Sequence, residues 1–268
     1  MRDRALSCGK VITARVNALD LQLKGKSVLV SGGTRGIGRA IVESMLEEGA
    51  QVSFCARQEH AVREAQAMLG ERVRGYVADV SDPAQVVNWV RQSAEQMGGI
   101  DIVIPNVSAL AGGEDLAIWR KAFDIDLLGT VSLIHAALPY LKRSSAASVV
   151  LISSVSGREI DRFAEPYGVL KAALTHYGKT LSARHAGEGI RVNTVAPGNV
   201  YFADGVWSSI EREDPVTFAQ CLAANPMGRM ATPKEVANAT VFLASPAASF
   251  ITSTTLLVDG GLTQGVQY

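Results

Sequence analysis

Short apolar runs alternate with longer segments of helical period along the chain, and that rhythm restricts the fold more than any other feature. Seven runs read as strands: Ser27 to Ser31, Gln51 to Ala56, Val73 to Ala78, Ile100 to Ile104, Ser148 to Ser153, Arg191 to Val195 and Thr255 to Val258. Val149-Val150-Leu151-Ile152 lacks the polar alternation of a half-solvated strand, as expected where helices cover both faces of a parallel sheet. Between the strands, Ile37, Ile41 and Met45 fall four apart on one helical face, and Gly49 supplies a C-cap after Glu48. Asp82-Pro83 gives the complementary start signal, an N-cap followed by proline at the first helical position, for a helix running to about Met97 before Gly98-Gly99. No linker, low-complexity tract or repeat of roughly 20–50 residues divides the chain. The expectation is a single α/β domain, a seven-stranded parallel sheet with helices on both faces.

The 26 basic and 26 acidic side chains among 268 residues cancel, which removes the electrostatic footprint of a nucleic-acid or anionic-membrane partner. With 47% hydrophobic and 19% charged residues the chain can bury a core and is excluded from the disordered class. Cys8, Cys55 and Cys221 are odd in number and lack CxxC spacing, so neither a zinc nor a redox site is expected and a reducing, cytoplasmic location fits. No run approaches the roughly 18 uninterrupted apolar residues of a membrane span. Residues 1–20 carry Arg2, Arg4, Lys10 and Arg15, but Asp3 and Asp20 argue against a transit peptide, so they read as an extension before a domain over 21–268. His60, His135, His176 and His185 share no metal-ligand spacing, and no metal is expected.

Ser31-Gly32-Gly33-Thr34-Arg35-Gly36-Ile37-Gly38 directly follows the first strand and opens a helix. Glycines let the backbone turn and approach a pyrophosphate, while the free N–H groups and dipole of the helix N-terminus stabilise the anion. The spacing G-x-x-x-G-x-G resembles that of the classical short-chain dehydrogenase/reductase family, and the likeness runs from about Leu21 to the C-terminus. That resemblance implies a single-domain Rossmann fold, a nicotinamide cofactor, and a cofactor role for Gly32, Thr34, Arg35, Gly36, Ile37 and Gly38.

The second strand ends Phe54-Cys55-Ala56-Arg57, without the carboxylate that would bind the ribose 2′-hydroxyl of NAD. Arg35 and Arg57 can meet the extra phosphate of NADP from two sides, and the planar guanidinium fork suits it, so NADP(H) is the expected cofactor; the alternative leaves Arg57 a solvated surface residue. By resemblance, Asp79-Val80 contacts the adenine and Asn106 lies beside the adenosine ribose. The family usually has Asn-Asn-Ala-Gly at that point, whereas this chain reads Pro105-Asn106-Val107-Ser108. Pro197-Gly198-Asn199-Val200 resembles the loop beside the nicotinamide, which brings Pro197, Gly198 and Val200 to the cofactor, although the usual following threonine is missing from Tyr201-Phe202-Ala203.

Tyr167 and Lys171, four apart, share one helix face, and Ser154 stands thirteen residues before the tyrosine at a strand end. An ammonium beside a phenol favours the phenolate, so Tyr167 can act as acid in reduction and base in oxidation. Ser154 would hydrogen-bond the carbonyl oxygen where negative charge develops, and Lys171 would also hold the nicotinamide ribose. Ser153 is the neighbouring candidate, one residue off the family's spacing. The family's fourth catalytic member is an asparagine; Phe123-Asp124-Ile125-Asp126 presents Asp126 instead. An ionised aspartate only accepts hydrogen bonds, so Asp126 either serves a relay water and the Lys171 ammonium, is protonated, or impairs the set.

Residues 199–227 should form a substrate lid rich in apolar side chains such as Phe202, Val206, Trp207, Ile210 and Phe218, which either line a hydrophobic pocket or pack on the core. Val258-Asp259-Gly260-Gly261 resembles the family's closing turn, through which members often pair into dimers and tetramers; Ser253 replaces a common glycine. The expected function is NADP(H)-dependent interconversion of a small-molecule ketone and a secondary alcohol, with the 3-oxoacyl-carrier-protein reductase-like branch the nearest in pattern. The alternative is a dinucleotide sensor or scaffold that keeps the fold without turnover.

Overall fold

The computed structural model describes residues 19–160 and 164–266; most of the expected N-terminal extension lies outside the described residues. The seven strands are β1 (Ser27–Ser31), β2 (Gln51–Ala56), β3 (Val73–Val77), β4 (Ile102–Ile104), β5 (Ser148–Ile152), β6 (Arg191–Pro197) and β7 (Thr255–Val258). They form one sheet of order β3-β2-β1-β4-β5-β6-β7 in which every adjacent pair is parallel. The helices are α1 (Gly36–Glu47), α2 (Glu59–Leu69), α3 (Pro83–Met97), α4 (Leu116–Ala122), α5 (Gly129–Leu141), α6 (Glu165–His185), α7 (Val206–Glu213), α8 (Pro215–Ala223) and α9 (Pro233–Ala244).

Alternation along β1 divides the core. Val28 and Val30 point into a cluster with Ile41 and Met45 of α1 and Val236 and Val241 of α9. Leu29 points the other way, joining Trp89 of α3, Leu133 and Ile134 of α5, and Leu174 of α6. A strand buried on both faces has no use for polar alternation, which is why β1 and β5 read as continuous apolar runs. The fold is a single α/β Rossmann-type domain.

Four strand limits differ from their expected places: β3 ends at Val77 and β5 at Ile152, each one residue early, β4 starts late and β6 runs on. β4 begins at Ile102, two residues later than expected; the Asp101 carboxylate just before it accepts the Ser27 N–H at 2.9 Å and the Ser144 hydroxyl. β6 runs on to Pro197 because β7 pairs with it there, Ala196 opposite Leu257 and Pro197 opposite Val258. The α3 start is as the sequence implies: Asp82 accepts the N–H groups of Ala84 and Gln85, with Pro83 following.

Helix α4 passes into α5 through a π-helical turn, Phe123–Leu128. The resulting rod, Leu116–Leu141, has the length and mean hydropathy of 1.3 of a membrane-crossing helix. Here its apolar side chains Ile125, Leu133, Ile134, Ala137 and Leu141 are buried in the second core cluster. A π turn inserts one extra residue per turn, rotating the faces on either side of it relative to each other. In this chain it buries Asp126 in the protein interior.

Candidate active site

The strand order reverses direction between β1 and β4, and a parallel sheet opens a crevice at the carboxyl ends of its strands at such a point. A cleft of about 510 Å³ lies there. Its lining contains Gly32, Thr34, Arg35, Gly36, Ile37 and Gly38 after β1, Arg57 after β2, Asp79 and Val80 after β3, and Asn106 after β4. The same wall continues with Ser154 after β5, Tyr167 and Lys171 of α6, and Pro197, Gly198 and Val200 after β6.

The glycine loop is built for close approach. A Cβ on Gly38 would stand 2.1 Å from the Gly32 carbonyl oxygen and 2.5 Å from Asn106 Nδ2. Gly32 and Gly36 have φ of 76° and 56°, which L side chains rarely adopt. Asn106 braces this loop: its Nδ2 donates to the carbonyls of Ser31 at 3.0 Å and Gly32 at 3.3 Å, and its N–H donates to Ser31 Oγ. Its amide therefore works inward, holding β1 to β4. Arg35 at the N-cap of α1 makes no side-chain capping bond and no acidic residue occupies the first turn, leaving the helix N-terminus to an anion.

The arginines differ in engagement. Arg57 is exposed, with no hydrogen bond or ion pair among the described residues, and the nearby Glu59 is paired with Arg63. Arg35 donates to the carbonyl of Asp204 at 3.3 Å. Asp79 is held in a tight turn, its carboxylate accepting the N–H and hydroxyl of Ser81. A buried cradle that a Cβ would fill, an uncapped helix N-terminus and two arginines at the second-strand side fit the diphosphate and ribose of a dinucleotide.

At the other end, Ser154 and Ser153 separate by their partners. The Ser153 hydroxyl donates to the Lys171 carbonyl at 2.8 Å and lies 3.1 Å from Thr175 Oγ1, tying β5 to α6. Among the described residues the Ser154 side chain accepts only the Ser156 N–H, so its hydroxyl proton remains for a ligand. Lys171 is 2% exposed; its ammonium lies 5.4 Å from the centroid of the Tyr167 ring and donates to the Ile152 carbonyl at 3.2 Å.

Asp126 stands apart from the cleft wall. It is 1% exposed, with Oδ1 at 3.6 Å from Lys171 Nζ, so it backs the lysine. Thr130 donates to its carbonyl oxygen at 2.8 Å.

Of the apolar lid residues, Phe202, Val206 and Trp207 lie on the cleft wall, and a Cβ on Gly36 would meet Phe202 Cζ at 2.6 Å, so that ring lies against the glycine loop. Sequence reasoning missed Cys55, Ser108 and Leu110 as lining residues. Burial pushes the Cys55 thiol up to about 12, aided by Asp79, so it is an inert wall element. Its place at a strand end was readable, its inward orientation was not.

Residues 32–263 match the family model described as Enoyl-(Acyl carrier protein) reductase. The chain is 40% identical over 253 residues to isoepoxydon dehydrogenase of Penicillium expansum, covering 92% of this chain and 98% of that protein. The ligand-free aldohexose dehydrogenase of Thermoplasma acidophilum superposes with a TM-score of 0.81 at 31% identity, covering 92% of this chain and 97% of that one. An NADPH-bound short-chain oxidoreductase from Pseudomonas aeruginosa PAO1, described as containing an atypical catalytic center, gives a TM-score of 0.84 at 26% identity, covering 91% and 99%. A Rossmann cleft with a serine, a tyrosine and a lysine on its wall, together with matches that span nearly the whole of chains named as dehydrogenases, places this chain in the short-chain dehydrogenase/reductase family, whose members bind a nicotinamide dinucleotide and act on small molecules.

Proposed function

We propose that the protein is an NADP(H)-dependent oxidoreductase that interconverts a small, uncharged ketone and its secondary alcohol. The observation that carries this reading is the presence of Ser154, Tyr167 and Lys171 on the same cleft wall as the glycine loop and both arginines. Arg57 and Arg35 would hold the 2′-phosphate, the α1 N-terminus the diphosphate, and Lys171 the nicotinamide ribose. When bound, the cofactor supplies or accepts a hydride.

The chain's own groups handle the proton and the charge. Ser154 donates its hydroxyl to the carbonyl oxygen and stabilises the negative charge that develops there. Tyr167 gives that oxygen its phenolic proton in reduction and takes a proton back in oxidation, so the ketone gains one hydride and one proton to become the alcohol. The Lys171 ammonium, one helical turn away, stabilises the phenolate.

An uncharged substrate is favoured because the cleft lining not assigned to the cofactor includes Ser108, Leu110, Phe202, Val206 and Trp207, hydroxyl or apolar in character. Relatives named for dehydrogenation of isoepoxydon and of an aldohexose favour a small organic alcohol or carbonyl compound as substrate. Residues 199–227, with α7 and α8, act as the lid over this end. We further propose a homo-oligomer formed through the β7 edge and a cytoplasmic location. The relatives' names favour turnover over a non-catalytic sensor.

The test is NADPH oxidation followed by absorbance against a panel of small cyclic and hydroxylated ketones, with Tyr167→Phe alongside. Turnover that is lost in the variant supports the assignment. Tight NADPH binding without oxidation of any ketone would sink it.

A further inference from the structure

Two departures from the family's usual residues touch each other. Ser108 stands where the family has glycine, Asp126 where it has asparagine, and the Ser108 hydroxyl donates to Asp126 Oδ1 at 2.5 Å. The other carboxylate oxygen, Oδ2, accepts the Ala109 N–H at 2.7 Å, and the Lys171 ammonium lies 3.6 Å from Oδ1. Ser108 Oγ in turn accepts the Leu110 N–H at 3.1 Å, where Leu110 is held at φ 48° on the cleft wall.

We propose that Ser108 is a positioning residue that acts through Asp126 on Lys171, coupling the loop after β4 to the lysine that holds the cofactor. The proposal rests on the cofactor role given to Lys171 above. Both Asp126 and Lys171 are buried, so each charge needs its partner, and every donor facing the carboxylate comes from the loop or from the lysine. An asparagine at 126 could keep an oxygen on the Ala109 N–H and donate its NH₂ to Ser108 Oγ, but it would bring no negative charge to the buried Lys171 ammonium. The serine and the aspartate are therefore one unit. Lys171 has three N–H donors; Ile152 O takes one, and the ion pair with Asp126 at 3.6 Å draws the ammonium toward the loop and biases where the remaining donors point for a ribose hydroxyl.

The experiment is a double-mutant cycle read by the NADPH dissociation constant from fluorescence titration, with melting temperature recorded for each protein. Ser108→Ala and Asp126→Asn should each weaken NADPH binding about tenfold, and the double variant should be no weaker than the worse single one. Ser108→Thr keeps the hydroxyl and should bind as the natural protein does. Effects that multiply to about a hundredfold in the double variant would overturn the coupling. A lowered melting temperature with unchanged NADPH binding in Ser108→Ala would overturn it too. Natural protein that binds NADPH but oxidises it with no ketone refutes the reaction proposed above and leaves the coupling standing; failure to bind NADPH overturns both.

Discussion

Tyr167 and Ser154 reach the cleft from different elements, and their expected losses differ in kind. Tyr167→Phe removes only the ionisable proton, so kcat should fall by about 10²–10⁴-fold, the usual contribution of a positioned acid, while NADPH affinity stays close to that of the natural enzyme. Stopped-flow turnover combined with fluorescence titration separates the two; equal loss of both would mean that the tyrosine acts by binding. Arg57 is expected to discriminate cofactors. Its guanidinium has no partner to release among the described residues, so a charged hydrogen bond, about 1.5–3 kcal/mol, is available to a phosphate. Arg57→Asp should therefore raise the KM for NADPH roughly tenfold to a hundredfold and leave that for NADH little changed, and parallel shifts for both cofactors would remove the arginine from the phosphate site. Arg35 is less simple, because it already donates to Asp204 and a substitution disturbs the segment over the cleft as well.

Helix α9 shows how an element distant from the chemistry supports it. It packs along α1, the helix whose first turn forms the glycine loop, through Val236, Ala237 and Val241 in the shared core. Its start is a capping box: the Thr232 hydroxyl takes the Glu235 N–H, and the Glu235 carboxylate takes the Thr232 N–H at 2.8 Å. The Arg229 fork, at 2.6 and 2.9 Å, together with that N–H brings the Glu235 carboxyl from its ordinary 4.5 down to about 2. A carboxyl lowered in the folded state adds stability above its unfolded value and loses it as pH falls through the folded one. The stability gap between the natural protein and Glu235→Gln should accordingly hold from neutral pH to about 4.5 and close between there and about 2, a modest effect because the pair is solvent-facing. Chemical denaturation across that range checks it; a gap that widens in acid contradicts the assignment. Thr232→Ala should cost about 0.5–2 kcal/mol at any pH above that range. Capping signals of this type are legible in sequence because they are local, as at Asp82-Pro83. The π turn at Phe123–Leu128 is not, since its i to i+5 bonding leaves no compositional trace; that Asp126 backs the lysine was one of three alternatives offered by the family pattern, and only the fold selects it.

At the scale of the molecule, the seven parallel strands and two covering layers followed from burial: strands covered on both faces must be apolar throughout, and β1 and β5 are. What sequence could not supply was the long-range pairing that places Phe202 on Gly36 or Ser108 on Asp126, because contacts between segments so far apart depend on the finished fold. The same distinction applies to the sheet edges. β7 is an outer strand with β6 on one side only, and an unpaired row of N–H and C=O groups invites another chain. It is also apolar, with Leu256 at 38% exposure, and the phenyl ring of Phe250 nearby is fully exposed. A twofold contact would cover both at once, since an isologous interface buries each patch against its own copy. Leu256→Lys places a charge at the centre of that contact, while the strand still pairs with β6 through its backbone. The variant is expected to retain its circular dichroism and sediment as a smaller species than the natural protein in analytical ultracentrifugation; an unchanged sedimentation coefficient for the two would mean that no self-contact forms through β7.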